Sequence, residues 1–156
     1  RTAYDGERGW NESAFHPFEE LFGPRLKQLK FQHPLWLLQN WREVFDSAAI
    51  VQTGEVDGEK VFVLKLSAKG IPTHTLHVSA ESGLVLKEET VAIAPGVGQL
   101  PLTYTYTDYL AVDGVMLPFK IVAKTLQSGE IVTQFESATS LDELNDDEFR
   151  LTPPSD

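Results

Sequence analysis

Cysteine is missing altogether from this chain of 156 residues, and methionine occurs once. Without cysteine there are no disulfides, no thiolate metal ligands and no thiol nucleophile. The compartment stays open on that count, because exported and cytosolic bacterial proteins alike do without cysteine. Positive charge is scarce as well: 13 Lys plus Arg stand against 23 Asp plus Glu, a net charge of −10. That balance repels phosphate backbones and anionic headgroups, which argues against nucleic acid as a partner, and it serves solubility. No apolar run reaches the roughly eighteen residues that a bilayer-spanning helix needs, so no membrane-spanning segment is expected. Arg1 opens the sequence with no charged-then-apolar leader behind it, which reads as a processed end or a piece of a longer chain.

Catalytic signatures are equally sparse. GxSxG, HExxH, Walker and GxGxxG patterns do not occur, and "GVG" at 96–98 reads as a turn. His74 and His77 are an odd number of residues apart on an expected strand, so they point to opposite faces and do not share an ion. His16 and His33 each precede a proline, where capping or loop roles suffice. The acidic group Asp142, Glu143, Asp146, Asp147 and Glu148 lacks calcium-loop spacing and reads as a solvated helix start. Asp108 beside Tyr109 has neither a histidine nor a second placed carboxylate to make it an acid–base pair. Neither a metal nor another cofactor is expected, and no enzyme activity is expected.

What the chain does hold is a rhythm of turns. From residue 47 onward, Asp57-Gly58, Lys69-Gly70, Ser82-Gly83, Pro95-Gly96-Val97-Gly98, Asp113-Gly114 and Ser128-Gly129 punctuate runs rich in Val, Ile, Thr, Tyr and Phe. Seven strands in an antiparallel meander are expected. In Leu102–Thr107 large side chains alternate with threonines, giving a covered face and a wet one, whereas Val61–Leu66 is apolar on both faces. Pro118 has no N–H for a ladder and marks a bend or a bulge in its strand.

The first third differs. "TAYDGERGWNES" reads as a hairpin around Asp5-Gly6 with Tyr4 and Trp10 on its arms. Pro17 is placed to open a helix with Glu19 and Glu20 in its first turn, and Gly23-Pro24 separates it from a second, in which Leu26 and Leu29 sit three apart. Pro34 opens a third, "LWLLQNWREVF", apolar on several sides. The length suits one domain over residues 1–156. The expected fold class is mainly β with a few short helices (α+β). A curved antiparallel meander forms an incomplete barrel, capped by helices from residues 17–45.

"YTDYLAVDGVMLPFKI" at 106–121 and the ending "GEIVTQFESATSLDELNDDEFRLTPP" resemble the C-terminal half of bacterial LolA-like outer-membrane lipoprotein-sorting domains. "AYDGERGW", "NWREVF", "VDGEKVFVLKL" and "HVSAESGLVLKEE" fit the same family, so the resemblance runs over nearly the whole chain. It implies a periplasmic or cell-envelope location and an incomplete barrel whose cavity takes up lipoprotein acyl chains or another hydrophobic ligand. The relatives carry a helix and further strands ahead of "AYDG", and no basic residues here align with those the carriers use at the cavity mouth. A second reading is therefore kept: an accessory domain attached to other domains of its own parent chain, such as a peptidase, with a self-filled core. In the carrier reading Trp36, Leu37, Trp41, Phe62, Leu64, Tyr104, Tyr106 and Phe119 form the cavity wall, each being large and on a run expected to face inward.

Overall fold

The computed structural model describes residues 2–4, 7–12, 18–23, 26, 29, 40–94, 98–126 and 129–139, apart from the side chains of 92–94. Two compact units meet in the chain at Val44 and Phe45. The first holds a three-stranded antiparallel sheet of β1 (Thr2–Tyr4), β2 (Gly9–Asn11) and β3 (Glu19–Leu21), with β2 central. The β1–β2 hairpin is the one expected, with Trp10 opposite Ala3.

The third strand corrects the sequence reading, which gave residues 19 and 20 to a helix. Glu20 lies opposite Trp10, and its carboxylate pairs with the Arg8 guanidinium at 2.7 Å, while Leu21 is buried. An open ladder edge on β2 and a buried leucine outweigh the preference of two glutamates for a helix N-terminus. Leu26 and Leu29 are helical, as expected, and their methyl groups lie against β2. A Cβ on Gly9 would fall 2.8 Å from Leu26 Cδ1 and 2.9 Å from Leu29 Cδ2, so only glycine fits there without displacing them. Residues 40–44 are helical, and the Arg42 guanidinium stacks over the Trp41 ring at 4.3 Å.

The second unit is an open, seven-stranded antiparallel meander in sequence order, from β4 at one edge to β10 at the other. Its strands are β4 (Ser47–Val56), β5 (Glu59–Ala68), β6 (Ile71–Ser79), β7 (Val85–Ala94), β8 (Gly98–Val112), β9 (Val115–Thr125) and β10 (Gly129–Gln134). All six joints fall at the glycine-containing sites. Two are two-residue hairpins of the same kind: Val56 pairs with Glu59 around Asp57-Gly58, and Val112 with Val115 around Asp113-Gly114. Both central residues have positive φ in each (50° and 86°, 47° and 83°), the primed turn whose twist matches that of the strands.

Register assigns the faces, since Cα partners point to the same side of a sheet. One face carries Phe62 with Val78, Leu64 with Leu76, Leu66 with His74, Glu88 with Tyr104, and Tyr106 with Ile121. The other carries Val61 with Ser79 and Val63 with His77, and then the polar row His77, Lys87, Thr105. Val61 and Val63 are buried on one side of β5 and Leu66 on the other, so β5 is covered on both sides, as its double apolar pattern implied. Bulges interrupt the β4–β5 ladder at Ile50/Gln52 and the β6–β7 ladder at His77/Val78.

Pro118 is placed where its missing N–H costs little. The β9–β10 ladder ends at Lys120 and Gln134, followed only by Phe135 N–H donating to the Phe119 carbonyl at 2.8 Å. Pro118 is one residue further on, with Tyr109 of β8 as its Cα partner. The irregular backbone lies in the facing strand, at Asp108, whose φ is 55°.

Candidate functional site

A run of aliphatic and aromatic side chains on the first face is interrupted at its centre by three polar groups. Glu88, on β7, accepts from the Tyr106 hydroxyl at 2.7 Å through one carboxyl oxygen and meets His74 Nδ1 at 2.5 Å through the other. His74, Glu88 and Tyr106 are each 8% exposed. The Phe45 ring stands edge-on to the His74 imidazole at 5.3 Å, and Tyr104 stacks beside Tyr106 at 6.2 Å. Burial, reinforced by the Glu88 carboxyl, pushes the Tyr106 phenol far above its ordinary value of 10.0; burial, then Glu88, also raises Tyr104. Buried polar groups of this kind persist only when hydrogen-bonded, and here each protein group satisfies the next.

Tyr106 also lines an open groove of about 960 Å³ at the end of the sheet where the β4–β5 and β6–β7 hairpins turn. Leu84, Leu86, Tyr106 and Tyr109 give it apolar surface, and Asp57, Glu59, Glu81 and Asp108 line it with carboxylates. Ser79 links segments that line it. Its hydroxyl, fully buried, donates to the Glu59 carboxylate and accepts from the backbone N–H groups of Glu81 and Ser82 at 3.2 and 2.9 Å. One serine thus ties the end of β5 to the β6–β7 turn. Tyr109 is anchored across the sheet, its hydroxyl donating to the Val85 carbonyl at 2.5 Å, and burial pushes its phenol up to about 12.

The opposite face holds a separate polar cluster. Glu89 receives Lys87 Nζ at 2.8 Å and meets His77 Nε2 at 2.9 Å. The Lys87 hydrogen bond, then the His77 one, hold the Glu89 carboxyl below its ordinary value. His74 and His77 therefore do lie on opposite faces, each with its own glutamate. Among the described residues no group of three or more metal-ligating side chains is gathered.

Of the expected cavity wall, Leu64, Tyr104 and Tyr106 share the first face, on β5 and β8, and Phe119 lies on β9. Tyr106 and Phe119 are buried, and Leu64 and Tyr104 are partly so. Phe62 shares their face but is 40% exposed, at the open end near the groove. Trp41 is half-buried in helix 40–44 of the first unit. Trp36 and Leu37 lie outside the described residues. Sequence reasoning missed His74 and Glu88 as a pair and missed the groove. A usable signal existed: Leu84, Leu86 and Glu88 alternate at period two, which puts Glu88 on the apolar side of β7.

No family model matches the chain, and no curated protein does. Solved structures do. A LolA superfamily protein from Nitrosomonas europaea superposes with a TM-score of 0.58 at 19% identity, covering 94% of this chain and 67% of its own. A domain named for outer-membrane lipoprotein sorting, from Vibrio parahaemolyticus, gives 0.56 at 14% identity, covering 91% of this chain and 63% of its own. The chain thus has the fold of LolA-like, lipoprotein-sorting domains over nearly its whole length, while spanning about two thirds of those structures.

Proposed function

We propose that this is a non-catalytic domain of the bacterial cell envelope, exported or periplasmic, that binds lipid, lipoprotein acyl chains or another hydrophobic ligand on the aromatic face of its seven-stranded sheet. The observation that carries the reading is the LolA-like fold together with the placement on one face of Leu64, Leu76, Tyr104, Tyr106 and Ile121. Lipid sites are lined mostly by such groups, with a few polar ones to fix orientation. In this reading the sheet is an incomplete barrel, and Phe62 and Phe119 belong to the wall.

A specific observation favours a second reading, an accessory domain with a self-filled core that serves other domains of its parent chain. Tyr106 and Phe119 are buried by the protein itself, and the Tyr106 hydroxyl has its partner in Glu88. Tryptophan emission titrated with a palmitoylated peptide separates the two. The binding domain gives a saturable shift absent with the same peptide lacking its acyl chain. No change up to the solubility limit of the peptide would leave the accessory reading standing alone.

A further inference from the structure

The groove at the hairpin end of the sheet combines apolar surface with carboxylates. Its volume, about 960 Å³, lies at the upper end of the ~300–1,000 Å³ usual for small-ligand pockets. Among the described residues four carboxylates line it against one cation, Lys60. The carboxylate of Glu59 is engaged by Ser79. Asp57, Glu81 and Asp108 are exposed, and among the described residues they form no ion pair. Among the described residues the lining is therefore net negative, and it shares the groove with Leu84, Leu86 and Tyr109.

Carboxylates lining one groove repel, and a cation entering beside them relieves that repulsion while its apolar body covers the leucines. An anionic amphiphile of the same apolar size meets the opposite field. We infer that this groove is the mouth at which the domain takes an acylated peptide bearing lysine or arginine next to its acyl chain. The chain is held along Leu84, Leu86, Tyr106 and Tyr109, and the basic side chains by Asp57, Glu81 and Asp108. This rests on the hydrophobic-ligand reading and adds to it the place of entry and the sign of charge selected. Tyr106 joins the two regions, since it lines the groove and donates to Glu88 on the aromatic face.

The test is calorimetric titration of the whole chain with three peptide amides: octanoyl-Gly-Lys-Lys, octanoyl-Gly-Glu-Glu and unacylated Gly-Lys-Lys. The basic acylated peptide should bind about tenfold more tightly than the acidic one at low salt, with the ratio shrinking as salt rises. Asp57→Asn/Glu81→Gln/Asp108→Asn should abolish that preference; asparagine tolerates the positive φ of positions 57 and 108, so the backbone is spared. Glu43→Gln/Glu130→Gln/Glu136→Gln changes net charge equally outside the groove and should keep the preference. Amide shift changes with the basic acylated peptide should centre on Leu84, Leu86 and Tyr109. Equal affinity for both acylated peptides, a preference that survives the groove variant, or shifts centred elsewhere would overturn the groove assignment while leaving hydrophobic binding intact. Equally tight binding of the unacylated basic peptide would overturn the role given to the acyl chain. Binding by neither acylated peptide would remove the hydrophobic-ligand reading itself.

Discussion

The Tyr106 hydroxyl donates to the Glu88 carboxyl at 2.7 Å across the β7–β8 ladder, and both residues are buried. Hydrogen bonds of this kind contribute modestly when intact, but losing one partner strands the other away from water. Tyr106→Phe keeps the ring and its stacking on Tyr104 and should cost about 1–3 kcal/mol in urea unfolding. Glu88→Ala should cost more, because it strands both the Tyr106 hydroxyl and His74 Nδ1. If Tyr106→Phe left the urea midpoint unchanged, the Tyr106–Glu88 hydrogen bond would not be holding the sheet.

Gly9 and Gly54 should respond in opposite directions to an added side chain. At Gly9 the new Cβ meets Leu26 and Leu29 below 3 Å, whereas at Gly54 the nearest atoms, on Val61 and Val63, are 3.7 and 3.8 Å away and φ is not positive. Gly54→Ala should be neutral or stabilising by up to about 1 kcal/mol, through the entropy of the unfolded chain. Gly9→Val should cost about 1–3 kcal/mol by overpacking, and Leu29→Ala in the same molecule should recover part of that loss. A fully additive double variant would mean that Gly9 and Leu29 are not in contact.

These cases mark how far the sequence could be read. The seven strands and six joints were legible because turn chemistry is local: Asp113-Gly114 announces its own geometry whatever surrounds it. Strand β3 was not, because three residues carry no periodicity and their state is decided by the edge of β2. The pairing of His74 with Glu88 depends on β6 lying beside β7 in one register, with a bulge at His77/Val78. No single stretch of sequence encodes that register. The groove was hidden for the same reason, since the β4–β5 turn, the β6–β7 turn and β8 assemble it from residues 57 to 109.

Two pH limbs follow from the shifted groups. The Glu89 carboxyl is held below its ordinary value of 4.5 by Lys87 and then His77, so its contribution is complete above pH 4.5 and is lost as pH falls through the lower folded value. Glu89→Gln should therefore flatten the acid limb of stability below pH 4.5. High salt should shrink the effect, since the Glu89 side chain is 45% exposed. Tyr109 shifts the other way, raised by burial from 10.0 to about 12. Its contribution is complete below pH 10 and is lost as pH rises from 10 to about 12. Absorbance at the tyrosinate band should show Tyr109 ionising later in the folded protein than in urea, and Tyr109→Phe should remove that late step. Coincident titration curves in the two states would contradict the burial of these phenols.

Thr90 is the one described residue with a buried side-chain oxygen that makes no hydrogen bond. It lies opposite Leu102 and two residues from Glu88, on the aromatic face. A buried hydroxyl left unpaired costs about 1–3 kcal/mol relative to one that is satisfied, and valine has nearly the same shape without that demand. Thr90→Val should therefore stabilise the domain, by about 0.5–2 kcal/mol, where most substitutions of partly buried residues destabilise. The same change bears on function. If Thr90 Oγ1 is kept unpaired to meet a polar group of a bound ligand, such as an ester carbonyl beside an acyl chain, Thr90→Val should gain stability and lose affinity for an acylated peptide. Gain in stability with affinity unchanged would make the hydroxyl a tolerated defect of packing. A loss of stability would mean that Oγ1 has a hydrogen-bond partner after all.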